Sequence, residues 1–217
     1  MKASSVILDA LKDMDNTGTL EAEKKMDLYA GKDIRMTADT HREENGQGHT
    51  TAISKRGAAS VTGKESSLTM TAGKDIHLQA ARISSAGDMT IAGKRQVELG
   101  TAVAEKDNRV TWDRSNDRRD STAMETGSTL TAGRNLTVEN GKEITDLEEH
   151  HRHKEKGLLS SKTTTTYDEV KRTDTTGSIV EGDTLTMTAG KDISLTGSVA
   201  ASTKETALSA GRNISIH

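Results

Sequence analysis

Six times along this chain an apolar residue is followed by a five-residue turn built on Ala-Gly and then by a second apolar residue. The copies are Leu28-YAGKD-Ile34, Met70-TAGKD-Ile76, Ile91-AGKRQ-Val97, Leu130-TAGRN-Leu136, Met187-TAGKD-Ile193 and Leu208-SAGRN-Ile214. Their first residues are separated by intervals of 42, 21, 39, 57 and 21, so three intervals keep a 21-residue frame and two break it. A unit this short cannot bury an apolar face by itself and must stack on a neighbour. Leu68, Met70, Ile76 and Leu78 alternate with polar residues on either side of a turn, as do Leu185, Met187, Ile193 and Leu195. Period two means strands with one face inward. The expected architecture is therefore all-β, a solenoid whose coils of about 21 residues each hold three short strands.

The turn glycines Gly31, Gly73, Gly93, Gly133, Gly190 and Gly211 are the expected structural turn residues. Their role is read as a left-handed backbone conformation, with the Asp or Asn that follows bonding its own backbone. In the Ile91 copy the glycine stands one residue earlier, yet Met70 to Ile91 and Ile76 to Val97 both keep the 21-residue step. The apolar frame holds the register while the turn chemistry drifts.

Only 31% of the 217 residues are hydrophobic and 1% aromatic, too few for an ordinary globular core of this size. A narrow stack needs fewer bulky side chains, so the composition favours an elongated shape over disorder. The net charge of −3 and the scarcity of aromatics, Tyr29, Trp112 and Tyr167, argue against a nucleic-acid partner. There is no cysteine, hence no disulfide or thiolate metal site. No apolar run approaches the roughly 18 residues of a membrane helix, and the opening MKASSVILDALKD lacks the features of a signal peptide. With its last residues inside a strand, the chain reads as an internal piece of something larger.

Residues 1–15 are expected to be a partial coil or cap, and 16–217 the repeat body of six or seven coils. At the strand spacing of about 4.8 Å that is a rod on the order of 30 Å long. Three charged, Thr- and Ser-rich stretches leave the pattern near 38–60, 101–126 and 145–176. Each is expected to project as an antiparallel β-hairpin after the strand that follows a turn, and the last two fall inside the broken intervals. The 42-residue interval reads as one coil plus an excursion, because HREENGQGH has no apolar pair to bury. In the third excursion the expected turn is Gly157 to Ser161, with a returning strand from Thr163 to Tyr167.

Candidate sites are few. His150, His151 and His153 lack a third ligand of fixed spacing, so no metal site is expected, and no cofactor. Asp33, Asp75 and Asp192, with Gln96, Asn135 and Asn213 at equivalent places, could stack along one edge. Because those positions interchange with amides and belong to a repeated turn, no catalytic constellation and no enzyme activity are expected. Trp112 among Arg109, Arg114, Arg118 and Arg119 is a possible partner contact, although a hairpin aromatic stacked by arginine is the commoner arrangement.

The phrases GSTLTAGRNLTVENGKEI (127–144), GDTLTMTAGKDISLTGSVAAS (182–202) and ALSAGRNISI (207–216), with HHRHKEKGLLSSKTTTT (150–166), resemble the haemagglutinin repeats of filamentous haemagglutinin-like exoproteins. The likeness covers most of residues 16–217. It implies a right-handed parallel β-helix in a secreted, cell-surface filament of Gram-negative bacteria, exported through an outer-membrane two-partner secretion transporter. It implies one of two branches. The first is a contact-dependent growth inhibition exoprotein, in which the segment supports toxin delivery to target cells; the second is an adhesin or haemagglutinin that binds host receptors or glycans through its excursions. Charged excursions incline the reading to the first. The partners implied are the transporter and a target-cell surface or outer-membrane receptor, with the segment itself a monomeric part of a longer filament.

Overall fold

The computed structural model describes residues 2–113, 116–140, 143–147, 168–195 and 197–217. Among the described residues the chain forms strands and no helix. The first strands are β1 (Lys2–Ala10), β2 (Met14–Asn16), β3 (Thr19–Ala30), β4 (Ile34–Asn45), β5 (Gly48–Arg56), β6 (Ala58–Val61) and β7 (Ser67–Ala72). There follow β8 (Asp75–Gln79), β9 (Arg82–Ser85), β10 (Asp88–Gly93), β11 (Gln96–Gly100), β12 (Ala102–Asp113), β13 (Asn116–Thr126) and β14 (Thr129–Ala132). The last are β15 (Asn135–Asn140), β16 (Glu143–Leu147), β17 (Asp168–Thr176), β18 (Ile179–Ala189), β19 (Asp192–Leu195), β20 (Val199–Ala210) and β21 (Ile214–Ile216).

Outside the excursions every pairing is parallel, and the pairings sort into three ladders. The first runs through the start of β3, then β6, β9, β14 and the starts of β18 and β20. The second runs through the end of β1 and of β3, then β7, β10, β15 and the ends of β18 and β20. The third is β2, the start of β4, β8, β11, β16, β19 and β21. Each ladder is visited once per coil in the same order. Since β3 and β18 each pair across two ladders, the pairings of the first two ladders close into a ring.

One core serves all three. Ile83 and Leu130 from the first ladder, Met70 and Ile91 from the second and Ile76 and Val97 from the third are fully buried in a single cluster. Period-two patterning places them there: β7 and β10 both read alternately half-buried and buried. The Ile91 copy keeps its register, Ile91 lying beside Met70 and Val97 beside Ile76.

The fourth copy does not. Leu130 pairs with Ile83 and Val180 in the first ladder, and Leu136 pairs with Met89 in the second. Its turn therefore joins the first ladder to the second, whereas the Leu28 and Met70 turns join the second to the third. The residue equivalent to Ile91 in the next coil is Val138. Asn135 accordingly aligns with Asp88 rather than with Asp75, as its hydrogen bonds to Asp88 show.

The turn glycines also have a different cause from the one expected. None of the six is among the residues of positive φ, which are Ala80, Gly48 and Gly197. Gly31, Gly73, Gly133 and Gly211 sit instead where the backbone of the adjacent coil comes too near for a Cβ, and Gly93 where its own turn does, at Gln96. A Cβ added at Gly31 would lie 2.3 Å from the carbonyl oxygen of Leu11, at Gly73 2.2 Å from that of Gly31, and at Gly133 2.2 Å from that of Ala86. Stacked turns at one strand spacing leave no room for a side chain pointing along the stack.

Left-handed backbone appears instead where the third ladder returns to the first. Gly197 has φ 62° and Ala80, fully buried, φ 48°. A non-glycine residue there carries about 1 kcal/mol of strain. Ala80→Gly is thus expected to leave stability within about 1 kcal/mol, relief of strain offsetting the added freedom of the unfolded chain. Ala80→Val should cost about 2 kcal/mol or more, because a branched side chain tolerates this region worst. Urea midpoints of the two variants measure the contrast.

Candidate functional site

The aspartates at the turns reach across coils rather than back onto their own backbone. The amide of Asp33 donates to Asp13 Oδ1 at 3.3 Å, that of Asp75 to Asp33 Oδ1 at 3.3 Å, and that of Asn213 to Asp192 Oδ1 at 3.1 Å. At the other corner the amide of Asn135 donates to Asp88 Oδ1 at 3.3 Å. The carboxylates of Asp75, Asp88 and Asp192 take a cation from the following coil: Arg95 on Asp75, Arg134 on Asp88 at 2.9 Å and Arg212 on Asp192. Lys204 and Thr203 hold Asp183 in the same sense, each at 2.7 Å. In these clasps the acceptor lies in the earlier coil and the donors in the next. Stacking brings an amide of the next coil within one strand spacing of such a carboxylate, and that amide takes the place of the expected local bond.

Charge pairing tunes these groups. The Arg95 hydrogen bond holds the buried Asp75 carboxyl below its ordinary value against the opposing effect of burial, and Asp75 in turn raises Arg95. Lys204 and Thr203 lower Asp183. For Asp192 desolvation pushes upward, but Arg212 and Asn213 together outweigh it. A carboxyl lowered in the folded state contributes stability above its unfolded value, 3.8 for Asp75, and loses it as pH falls through the folded value. Asp75→Asn is therefore expected to lower the urea midpoint at about pH 7, the difference from the parent shrinking as pH falls below 3.8 through the folded value. Midpoints across that pH range test this.

The excursions form the second feature. Residues 38–45 of β4 pair antiparallel with β5, and β12 pairs antiparallel with β13. Residues 58–60, expected in the first excursion, already lie in the first ladder, and Thr145 and Asp146, expected in the third excursion, still lie in the third ladder. The hairpins then pair with each other. β5 joins β12 antiparallel, and β17 joins β13 parallel, giving a side sheet in the order β17, β13, β12, β5, β4. A hairpin is two strands wide and so spans two coils at the common strand spacing. That is why the corner at Gln79 to Arg82, between the first two excursions, is a bare turn: a hairpin there would have to part β5 from β12.

Arg56, the last residue of β5, ties this sheet to the stack. Its guanidinium donates to the carbonyls of Ala80 at 2.5 Å, Gly127 at 2.8 Å and Ala81 at 3.4 Å. Burial and neighbouring Arg82 lower its pKa, but a guanidinium stays charged at any pH of interest. Arg56→Met is expected to cost about 2 kcal/mol by leaving those carbonyls unpaired, measured by chemical denaturation, with hydrogen exchange rising first in β5.

Beside it, Ser128 Oγ donates to Leu78 O at 2.7 Å and accepts from the amide of Ala81 at 3.1 Å, while the amide of Ser128 donates to Ser178 Oγ. These serines come from a second repeat, Thr-Gly-Ser at 126–128, 176–178 and 196–198, which the first reading of the sequence passed over. A search for repeated tripeptides would have found it.

Of the anticipated contact residues, Arg109 is exposed on β12 and its amide donates to Gln47 O at 2.5 Å, tying the tips of two hairpins. The Trp112 side chain, Arg114, and the histidines at 150, 151 and 153 lie outside the described residues, as do the expected turn at 157–161 and the returning strand at 163–167. Among the described residues no group of three metal-ligating side chains converges.

Residues 157–217 match the family described as Hemagglutinin repeat. Over 98% of its length the chain is 25% identical to a tRNA nuclease CdiA of Escherichia coli (strain STEC_O31). Over 40% of its length it is 36% identical to a 16S rRNA endonuclease CdiA of Enterobacter cloacae subsp. cloacae. Residues 157–217 thus carry a haemagglutinin repeat, and the chain is similar to parts of contact-dependent growth inhibition proteins. It spans 7% of the length of the first of these relatives and 3% of the second. No solved structure matches it. In haemagglutinin-repeat terms, the Asp–Arg clasps bind coil to coil and the excursions bind hairpin to hairpin.

Proposed function

We propose that the three ladders stack as a right-handed parallel β-helix, and that this helix is a non-enzymatic scaffold within a two-partner secretion exoprotein of the growth-inhibition type. The observation that carries the reading is one aliphatic core enclosed by three parallel ladders that are visited in fixed order once per coil. A closed barrel built of the first two ladders alone would leave the third, with Ile76 and Val97, outside its core. The apparent ring arises because β3 and β18 run unbroken across two faces. Residues 1–15 then form the first rung rather than a detached cap, and 16–217 the repeat body. Among the turn glycines, Gly31, Gly73, Gly133 and Gly211 serve as spacers between coils, and Gly93 makes room within its own turn.

The nuclease activities for which these relatives are named belong to proteins far longer than this chain. Here the segment supports toxin delivery by holding an extended, rigid course between the producing cell and its target. The partners are the outer-membrane transporter, through which coils emerge and stack in order, and a receptor on the target cell. Within a growth-inhibition exoprotein that carries this segment, replacing residues 38–56 with a short turn should preserve surface display. Ile76→Asp should abolish both display and inhibition of target cells. Loss of display on removing the hairpin, or normal inhibition with Ile76→Asp, would count against the scaffold. If the hairpin deletion instead removes cell attachment at unchanged display, the adhesin reading gains; turnover of acidic polysaccharides to unsaturated ends would overturn the non-enzymatic one.

A further inference from the structure

The outward face of the side sheet carries an apolar groove of about 760 Å³ across β5, β12 and β13. Ala52 and Ala104 lie one step beyond the paired Thr51 and Glu105, and Ala104 pairs with Met124. Met124 is 51% exposed. Small residues in the middle and methionine at the side make the depression, and Thr50, Thr122 and Thr126 add hydroxyls to its rim.

The charge of the rim is cationic. Lys55 and Lys106 line the groove and, among the described residues, neither has a carboxylate within salt-bridge distance, while the lining carboxylate, Glu105, lies 3.5 Å from His49 Nε2. A volume of this size matches small-molecule sites, which are mostly apolar with a few polar groups that orient the ligand. We propose that this groove binds a single acyl chain bearing an anionic head group, the chain lying over Ala52, Ala104 and Met124 and the head group meeting Lys55 or Lys106.

The alternative occupant with the same charge is an acidic peptide. It fits less well, because β5, β12 and β13 are each paired on both sides. A peptide laid on the face finds no free backbone group and leaves its own amides unpaired. An acyl chain has no such requirement.

Dodecyl phosphate, titrated as monomer into the intact chain carrying ¹³C-methyl methionine, is expected to shift the Met124 signal saturably. Ala104→Trp, which fills the groove, and Lys106→Glu should each weaken binding about tenfold or more, the scale of one lost charge-assisted contact. Should the tryptophan variant fail to fold, the exposed Thr122→Glu gives a second block with the same expectation. Dodecyltrimethylammonium should bind at least about tenfold more weakly than the phosphate. The proposal falls if the two amphiphiles bind alike, if the variants bind as the parent does, or if hexaglutamate shifts Met124 and dodecyl phosphate does not. Binding only to anionic vesicles, with no response to the monomer, also overturns it.

Discussion

Gly73→Ala is expected to destabilise the chain by about 3 kcal/mol, although it adds a single methyl group. That methyl would stand 2.2 Å from the carbonyl oxygen of Gly31 and 2.8 Å from its carbon, and neither belongs to a flexible side chain that could yield. The coils would have to part there, and their amide pairs would lengthen on both sides. Gly73→Asn separates the two possible causes. Asparagine tolerates left-handed backbone, so it would rescue a glycine kept for its φ; if crowding is the cause it should be no better than alanine. Gly46→Ala, with nothing within 4 Å of the added carbon, is the control and should stay within about 0.5 kcal/mol of the parent. Urea denaturation followed by far-ultraviolet circular dichroism reads all three.

Ile76→Asp should have the largest effect, about 5 kcal/mol, enough to remove the cooperative fold. Ile76 is fully buried between Ile34 and Val97, with no donor beside it to meet a carboxylate. In a stack whose units contact only their neighbours, losing a central rung strips the packing from the rungs on both sides. Leu11→Asp, at a residue 95% exposed, should be nearly silent. Comparable losses at 11 and 76 would mean that the core has been misplaced.

Much of this could be read from the sequence because a period of two fixes which face each residue occupies. The steps from Met70 to Ile91 and from Ile76 to Val97 became lateral pairs without adjustment. Leu130 was misread for a physical reason. The corner between the first and second ladders has the same requirements as the corner between the second and third, small residues under a neighbouring carbonyl, so Leu-Thr-Ala-Gly-Arg-Asn-Leu suits either. Turn chemistry alone cannot tell which corner it serves. Pairing between hairpins was beyond sequence reasoning altogether: β4 and β5 have the charge and threonine content of solvated arms, and their partner in β12 is set by the coil spacing. Arg56 was hidden likewise, since its three carbonyl partners come from corners 24 to 71 residues away.

The central claim, that parallel coils stack in this register, is tested most directly by disulfide formation between paired cysteines, in a chain that has none of its own. Thr90 and Thr137 are lateral neighbours in the second ladder, with the whole second excursion between them in sequence. A Thr90→Cys, Thr137→Cys variant should oxidise readily, because lateral strand neighbours fall within the roughly 4.4–6.8 Å between Cα atoms that a disulfide spans. A Thr90→Cys, Thr129→Cys variant, which would bridge if Leu130 lay beside Ile91, should stay reduced. Oxidation of the second pair with failure of the first would contradict the stack described above.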